Sequence, residues 1–110
     1  MKLPKLKHWY HATTIERAQQ IVQDGCLKAA WIDGIYMTNK QNYSETFVKM
    51  RGHSEWAVIK IPSSRLDRTQ LHISTDHAFE VPKDFVSVRY IGGPIPVVAE
   101  DISCWESDKT

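Results

Sequence analysis

The chain is 110 residues long, 42% hydrophobic and 25% charged. That is the balance of one globular domain, and two independent cores would be hard to bury at this length. Fourteen Lys and Arg against thirteen Asp and Glu leave a formal charge of +1, which argues against a broad electrostatic grip on nucleic acid or an anionic membrane while allowing a local basic cleft.

No apolar run approaches the roughly 20 residues that span a bilayer. The basic start Met1-Lys2-Leu3-Pro4-Lys5-Leu6-Lys7 is not followed by the apolar stretch of a secretory signal. A cytoplasmic protein with no membrane partner is therefore expected. Cys26 and Cys104 are not spaced as metal ligands, and the histidines at 8, 11, 53, 72 and 77 form no compact metal motif. Two reduced thiols and no metal are the expectation.

Residues 6–11 suit a first strand, with Trp9 and His11 on one face and Tyr10 on the other. Thr13-Thr14-Ile15-Glu16 has the Thr-x-x-Glu spacing of a capping box. Ile15, Ala18, Ile21 and Val22 follow at helical spacing, and Gly25 is placed to stop the helix, predicting residues 14–24. Asp33-Gly34 makes a turn into a short strand over 35–38. A second helix is predicted over 41–50, with Tyr43, Phe47 and Met50 on one face and Gly52 at its end. Residues 55–61 read as a strand closed by Pro62, residues 71–81 as one or two short strands, and residues 85–91 as a further strand. Gly92-Gly93-Pro94 breaks that strand, residues 95–99 suit an edge segment, and a polar tail is expected from about residue 101. Two early helices followed by several strands predict a single α+β domain over 1–110.

The most informative pattern is Tyr10-His11-Ala12-Thr13-Thr14, then Ile21-Val22-Gln23-Asp24-Gly25-Cys26-Leu27, then Gly34-Ile35-Tyr36-Met37-Thr38. In order and spacing this resembles the N-terminal half of the His-Tyr-Glu class of the ADP-ribosyltransferase superfamily, which includes poly-ADP-ribose polymerase and diphtheria-toxin-like domains. Those domains open with a strand ending in Tyr-His-Gly-Thr or a variant, continue with a helix ending in an Ile-x-x-x-Gly-Leu-like segment, and then carry a Gly-Ile-Tyr strand. The resemblance covers residues 6 to about 48. It implies a compact split β-sheet core with two helices in its N-terminal half, and NAD as co-substrate, transferred as ADP-ribose to an acceptor with release of nicotinamide. The acceptor is open: protein, nucleic acid or small molecule.

The resemblance also implies roles by position. His11 would hydrogen-bond a ribose hydroxyl of NAD, and the Ala12 backbone, where the family usually has Gly, would meet the nicotinamide amide. Thr13 completes that NAD-binding stretch. Tyr36 would stack on the nicotinamide ring, and Tyr43 would supply a second aromatic wall. The family's third element is usually a Glu that stabilises positive charge as the glycosidic bond breaks. Ala78-Phe79-Glu80-Val81-Pro82 makes Glu80 that candidate, with Gln70, Asp76 and His77 as neighbouring substitutes. GxGxxG is absent, so nothing supports NAD as a hydride carrier.

Each residue also has a plainer reading. A His on a strand is commonly structural, Tyr36 would serve as a core aromatic, and Glu80 as a solvated strand residue. Trp9, Trp31 and Trp56 read as core or cleft walls, and Trp105 as a packing anchor or partner contact. Two alternatives stand beside the transferase. One is an RNA 2′-phosphotransferase-like enzyme, which would need arginines such as Arg17, Arg51, Arg65 and Arg68 around the His to hold phosphates. The other is a non-catalytic NAD-binding or interaction protein on the same fold.

Overall fold

The computed structural model describes residues 3–29, 34–74 and 82–107. Among them the chain is α+β: two helices, a six-stranded antiparallel sheet and a separate two-stranded sheet. Strand β1 (His8–Thr13) leads into helix α1 (Ile15–Asp24), short strand β2 (Cys26–Leu27), strand β3 (Ile35–Thr38) and helix α2 (Gln41–Met50). Strands β4 (Glu55–Pro62), β5 (Leu71–Ser74), β6 (Ser87–Tyr90), β7 (Ile95–Pro96) and β8 (Ile102–Ser107) follow. The main sheet runs β5-β6-β3-β1-β4-β8, and β2 pairs with β7.

Strand β1 starts two residues later than expected and runs two further. Ser63, just after β4, takes the carbonyls of Leu6 and Lys7, so the ladder proper begins at the pair His8↔Pro62. At the other end Thr13 is still paired with Ala57. The chain therefore turns one residue after the expected capping Thr. Thr14 is the cap: its backbone is extended and its hydroxyl accepts from the Arg17 N–H at 3.2 Å. Gly25 ends α1 in the left-handed region at φ 78°, sending its N–H to the carbonyls of Ile21 and Val22. Helix α2 matches its predicted span. Ser44 and Val48, however, form its buried face, and Met50 points outward at 55% exposure.

Strand alternation sorts the core onto two faces. Trp9, Ile59, Ile61, Ile35, Met37 and Val88 lie on one, under Ile21 of α1 and Leu27, Ile95 and Val97 of the small-sheet region. Val58, Trp56 and the partly buried Tyr10 and Ala12 lie on the other, against Val48 of α2. Strand β4 is buried almost throughout, so it requires a neighbour on each side. That requirement overturns the expected polar tail: residues 102–107 form edge strand β8 along β4. The ladder passes from Val58↔Cys104 to Ile59↔Ile102, which leaves Ser103 as the extra residue of a bulge. The bulge lets Ile102 pack on one core and Cys104 on the other, a switch that removes the alternation by which a strand is recognised. Cys26 and Cys104 are both half-buried.

Two polar ties hold the loops that follow. Asn39 exchanges backbone and side-chain hydrogen bonds with Val86 and donates to the Asp84 carbonyl, while Lys40 and Tyr43 both engage the Asp84 carboxylate. Arg65 donates to the Pro96 carbonyl and to the buried Asp101 carboxylate, which also caps the Val98 N–H. Burial alone would raise the Asp101 carboxyl, but the Arg65 and Val98 hydrogen bonds win and hold it below the ordinary range.

The cap position makes a specific demand on stability. Thr14→Ala should cost about 1 kcal/mol in denaturant unfolding, because a first-turn N–H loses its acceptor, and Thr13→Ala should cost less. A larger loss at Thr13 would put the cap one residue earlier.

Candidate functional site

The site begins with an incomplete pairing in the middle of the sheet. Strands β1 and β4 register over six pairs, and β3 and β6 over four, but β1 and β3 register only at Tyr10↔Thr38. Continuing that antiparallel register would set Ala12 opposite Tyr36. Instead the strands part, and the carbonyl of Tyr36 is met by the His11 ring, with Nδ1 at 2.7 Å. The sheet is thus two three-stranded halves joined at one backbone pair and one imidazole bridge.

A carbonyl oxygen can only accept, so Nδ1 carries the proton and neutral His11 is left with Nε2 as an acceptor. Burial holds the imidazole below its ordinary value. The Tyr36 carbonyl opposes that effect, and the positive charges of Arg51 and Arg17 add to it. His11 is consequently neutral at pH 7.

A cleft opens where the strands part, with a lobe on each face of the sheet. The α2-side lobe, about 220 Å³, is lined by Tyr10, Ala12, Tyr36 and Thr38 from the parted strands and by Ser44 and Phe47 from α2. Ser74 of β5 and Ser87 of β6 extend the same face through the cross-strand register Thr38↔Ser87↔Ser74. The α1-side lobe, about 330 Å³, takes in Thr13, Thr14 and Arg17 at the start of α1 and Lys28 after β2. His11, Ala12, Tyr36 and Arg51 border both lobes. Tyr36 is 43% exposed and borders both lobes.

Of the residues singled out from sequence, His11, Ala12, Thr13 and Tyr36 are therefore gathered around one cleft. Tyr43 is not among the residues that line it. One turn before Phe47 on α2, its ring packs against Phe85 at 5.2 Å and its hydroxyl donates to Asp84, so it fastens the 82–86 loop instead of forming a wall. Glu80, Asp76, His77 and Trp31 lie outside the described residues. Gln70 is half-buried just before β5, and its carbonyl accepts from the Ile91 N–H. Sequence reasoning missed Thr38, Ser44, Phe47, Ser74 and Ser87. They come from four separate elements, and only the strand register shows that they share a face.

The chain matches no protein-family model and no curated protein.

The electrostatics of His11 give a test with a definite sign. A histidine whose folded value is lowered contributes stability that is present above its unfolded value of about 6.5 and is lost as pH falls through the folded value. The His11 ring signal in an NMR titration should move at a pH below 6.5. Unfolding free energy should fall over the same window, and His11→Gln should flatten that slope. The lowered carboxylates Asp67, Asp84 and Asp101 act in a separate window, below 3.8. Titration of His11 at or above 6.5 would refute this reading.

Proposed function

We propose that the cleft where β1 and β3 part binds NAD and that the chain transfers ADP-ribose to an acceptor, releasing nicotinamide. The observation that carries the proposal is the junction itself: His11, the Ala12 backbone and an outward-facing Tyr36 border one cleft and are fixed to one another by the His11–Tyr36 hydrogen bond. These are the residues onto which the resemblance to His-Tyr-Glu ADP-ribosyltransferases carries the NAD-binding roles.

The fit is chemical as well as positional. Neutral His11, with its tautomer set by Tyr36, has an acceptor nitrogen suited to a ribose hydroxyl. The Tyr36 ring offers a flat apolar face for a planar leaving group, and Phe47 adds apolar wall on the same side. The two lobes, about 220 and 330 Å³ and sharing four residues, together reach the size range of small-molecule sites.

In such a transfer the bond between the nicotinamide nitrogen and the ribose anomeric carbon breaks, its electron pair leaves with neutral nicotinamide, and an acceptor nucleophile takes the carbon while giving up its proton. The chain's share is to orient and to exclude water. His11 and Tyr36 hold the two sides of the breaking bond, and their rigid coupling keeps them in register with each other. The family's carboxylate, which would stabilise charge on the sugar, falls to Glu80 by the resemblance alone.

The RNA 2′-phosphotransferase-like reading draws on one observation, the placement of Arg17 and Arg51 at the cleft. Arg65 and Arg68 contribute nothing to it, since they are committed to Asp101 and Pro96 and to the carbonyls of Leu3 and Pro4.

The deciding assay incubates folded protein with NAD labelled in its ADP-ribose part and with protein, nucleic-acid and small-molecule acceptors. Nicotinamide release with label on one acceptor class is expected. His11→Ala and Tyr36→Ala should each lower the rate by about tenfold or more, the loss of one hydrogen bond or one stacking contact at the reacting end. Release of the 2′-phosphate from 2′-phosphorylated RNA would favour the second reading. NAD binding without turnover would make the chain a binding protein, and folded protein that neither binds nor turns over NAD would refute the proposal.

A further inference from the structure

Helix α2 starts without support from its own sequence. Lys40, at the cap position, gives it no side-chain hydrogen bond, and its first turn holds no acidic residue, although a helix start favours an acceptor and negative charge. A loop distant in sequence supplies the charge. The Asp84 carboxylate accepts from Lys40 Nζ and from the Tyr43 hydroxyl, both at that first turn. These two donors hold it below the ordinary carboxylate range. The backbone is fastened at the same place. Asn39 Nδ2 donates to the Asp84 carbonyl at 2.7 Å, and Asn39 and Val86 exchange two hydrogen bonds of 3.0 Å.

The clamp continues inward through aromatic rings. Phe85 is buried, with its ring 5.2 Å from that of Tyr43 and 5.9 Å from that of Phe47. Phe47, together with Ser44, lines the α2-side lobe from the helix, and Ser87, two residues after Phe85, lines it from β6. Two parts of the lobe's lining thus depend on one short loop. Lys40 and Asp84 are both half-exposed, and an exposed ion pair contributes little to stability. What this pair contributes is position, because it fixes the start of α2 against the chain entering β6.

We infer that Asp84 is a positioning residue for the cleft: by holding Lys40 and Tyr43 it sets, through Phe85, where Phe47 and Ser87 stand in the α2-side lobe, and so how firmly that lobe grips a planar ring. The choice of ring rests on the proposed transfer, in which nicotinamide is the planar group, whereas the coupling is a property of the free protein. A wall that holds the ring equally before and during bond breaking changes KM and leaves kcat in place.

Four variants separate the contacts. Asp84→Ala removes both, Asp84→Asn keeps an acceptor for Tyr43 without the charge, Tyr43→Phe keeps the ring without the hydroxyl, and Lys40→Arg keeps the ion pair. Circular dichroism checks the fold of each. The first readout is NMR of the free protein. The Phe47 ring and Ser87 amide signals should move in Asp84→Ala, less in Asp84→Asn and Tyr43→Phe, and stay near wild type in Lys40→Arg, while Trp9 and Ile61 in the other core stay unmoved. The second is the affinity for nicotinamide and for NAD, with steady-state kinetics. Asp84→Ala should weaken both ligands by about three- to tenfold and raise KM for NAD alike, with kcat within about twofold of wild type. Lys40→Arg should keep wild-type affinity.

If wild type binds neither nicotinamide nor NAD, the transfer reading fails and the NMR of the free protein alone decides the coupling. Phe47 and Ser87 signals that stay unmoved in folded Asp84→Ala would overturn the inference. So would a fall in kcat with KM unchanged, or a Lys40→Arg variant as impaired as Asp84→Ala.

Discussion

The hydrogen bond from the His11 ring to the Tyr36 carbonyl is the constraint around which the molecule is organised. A six-stranded sheet that stops pairing at its centre must either satisfy the exposed carbonyl or close the gap. Here an imidazole does the former, so the gap stays open as a cleft. One contact thus performs three tasks. It bridges the two halves of the sheet, fixes the tautomer of His11, and sets His11 and Tyr36 at a defined distance on opposite lips of the cleft.

The rest of the fold supports that opening. Strand β4 binds one half of the sheet to β1 and carries β8 on its far side, while β6 binds the other half to β3. Helices α1 and α2 cover opposite faces, and the residues at their ends, Thr14 and Arg17 at the start of α1 and Arg51 just after α2, stand beside the cleft. The two lobes therefore differ in chemistry: Phe47 and the hydroxyls of Ser44, Ser74 and Ser87 lie on the α2 side, Arg17 and Lys28 on the α1 side, and Arg51 borders both. A ligand with a planar ring and a phosphate would find a complement for each.

Much of the fold was legible in the sequence because local signals dominate there. Helix α1 has a Thr cap, an apolar stripe and a terminating Gly. Strand β3 sits in Gly34-Ile35-Tyr36-Met37-Thr38, and β4 carries Trp56, Val58, Ile59 and Ile61 ahead of Pro62. What the sequence concealed depends on partners distant in the chain. Strand β8 was hidden because the bulge at Ser103 destroys its alternation, and its polar composition suits an edge. The cap moved from Thr13 to Thr14 because Thr13 is claimed by Ala57 across the ladder. The same division runs through the site. The motif around His11 and Tyr36 brought two cleft residues to notice, whereas the hydroxyls of Ser74 and Ser87 come to the cleft only through cross-strand register. Tyr43 failed as a wall for a reason no local pattern records: Asp84 and Phe85 claim its two ends.

The claim that the β1–β3 opening is where NAD binds can be tested residue by residue. Backbone amide shifts of ¹⁵N-labelled protein, followed as NAD is added to saturation, should change most at Ala12, Thr13, Tyr36 and Met37, on the two lips of the opening, with the outer strand β8 little affected. Saturable binding whose shifts fall elsewhere and leave Ala12 and Tyr36 unmoved would contradict the account.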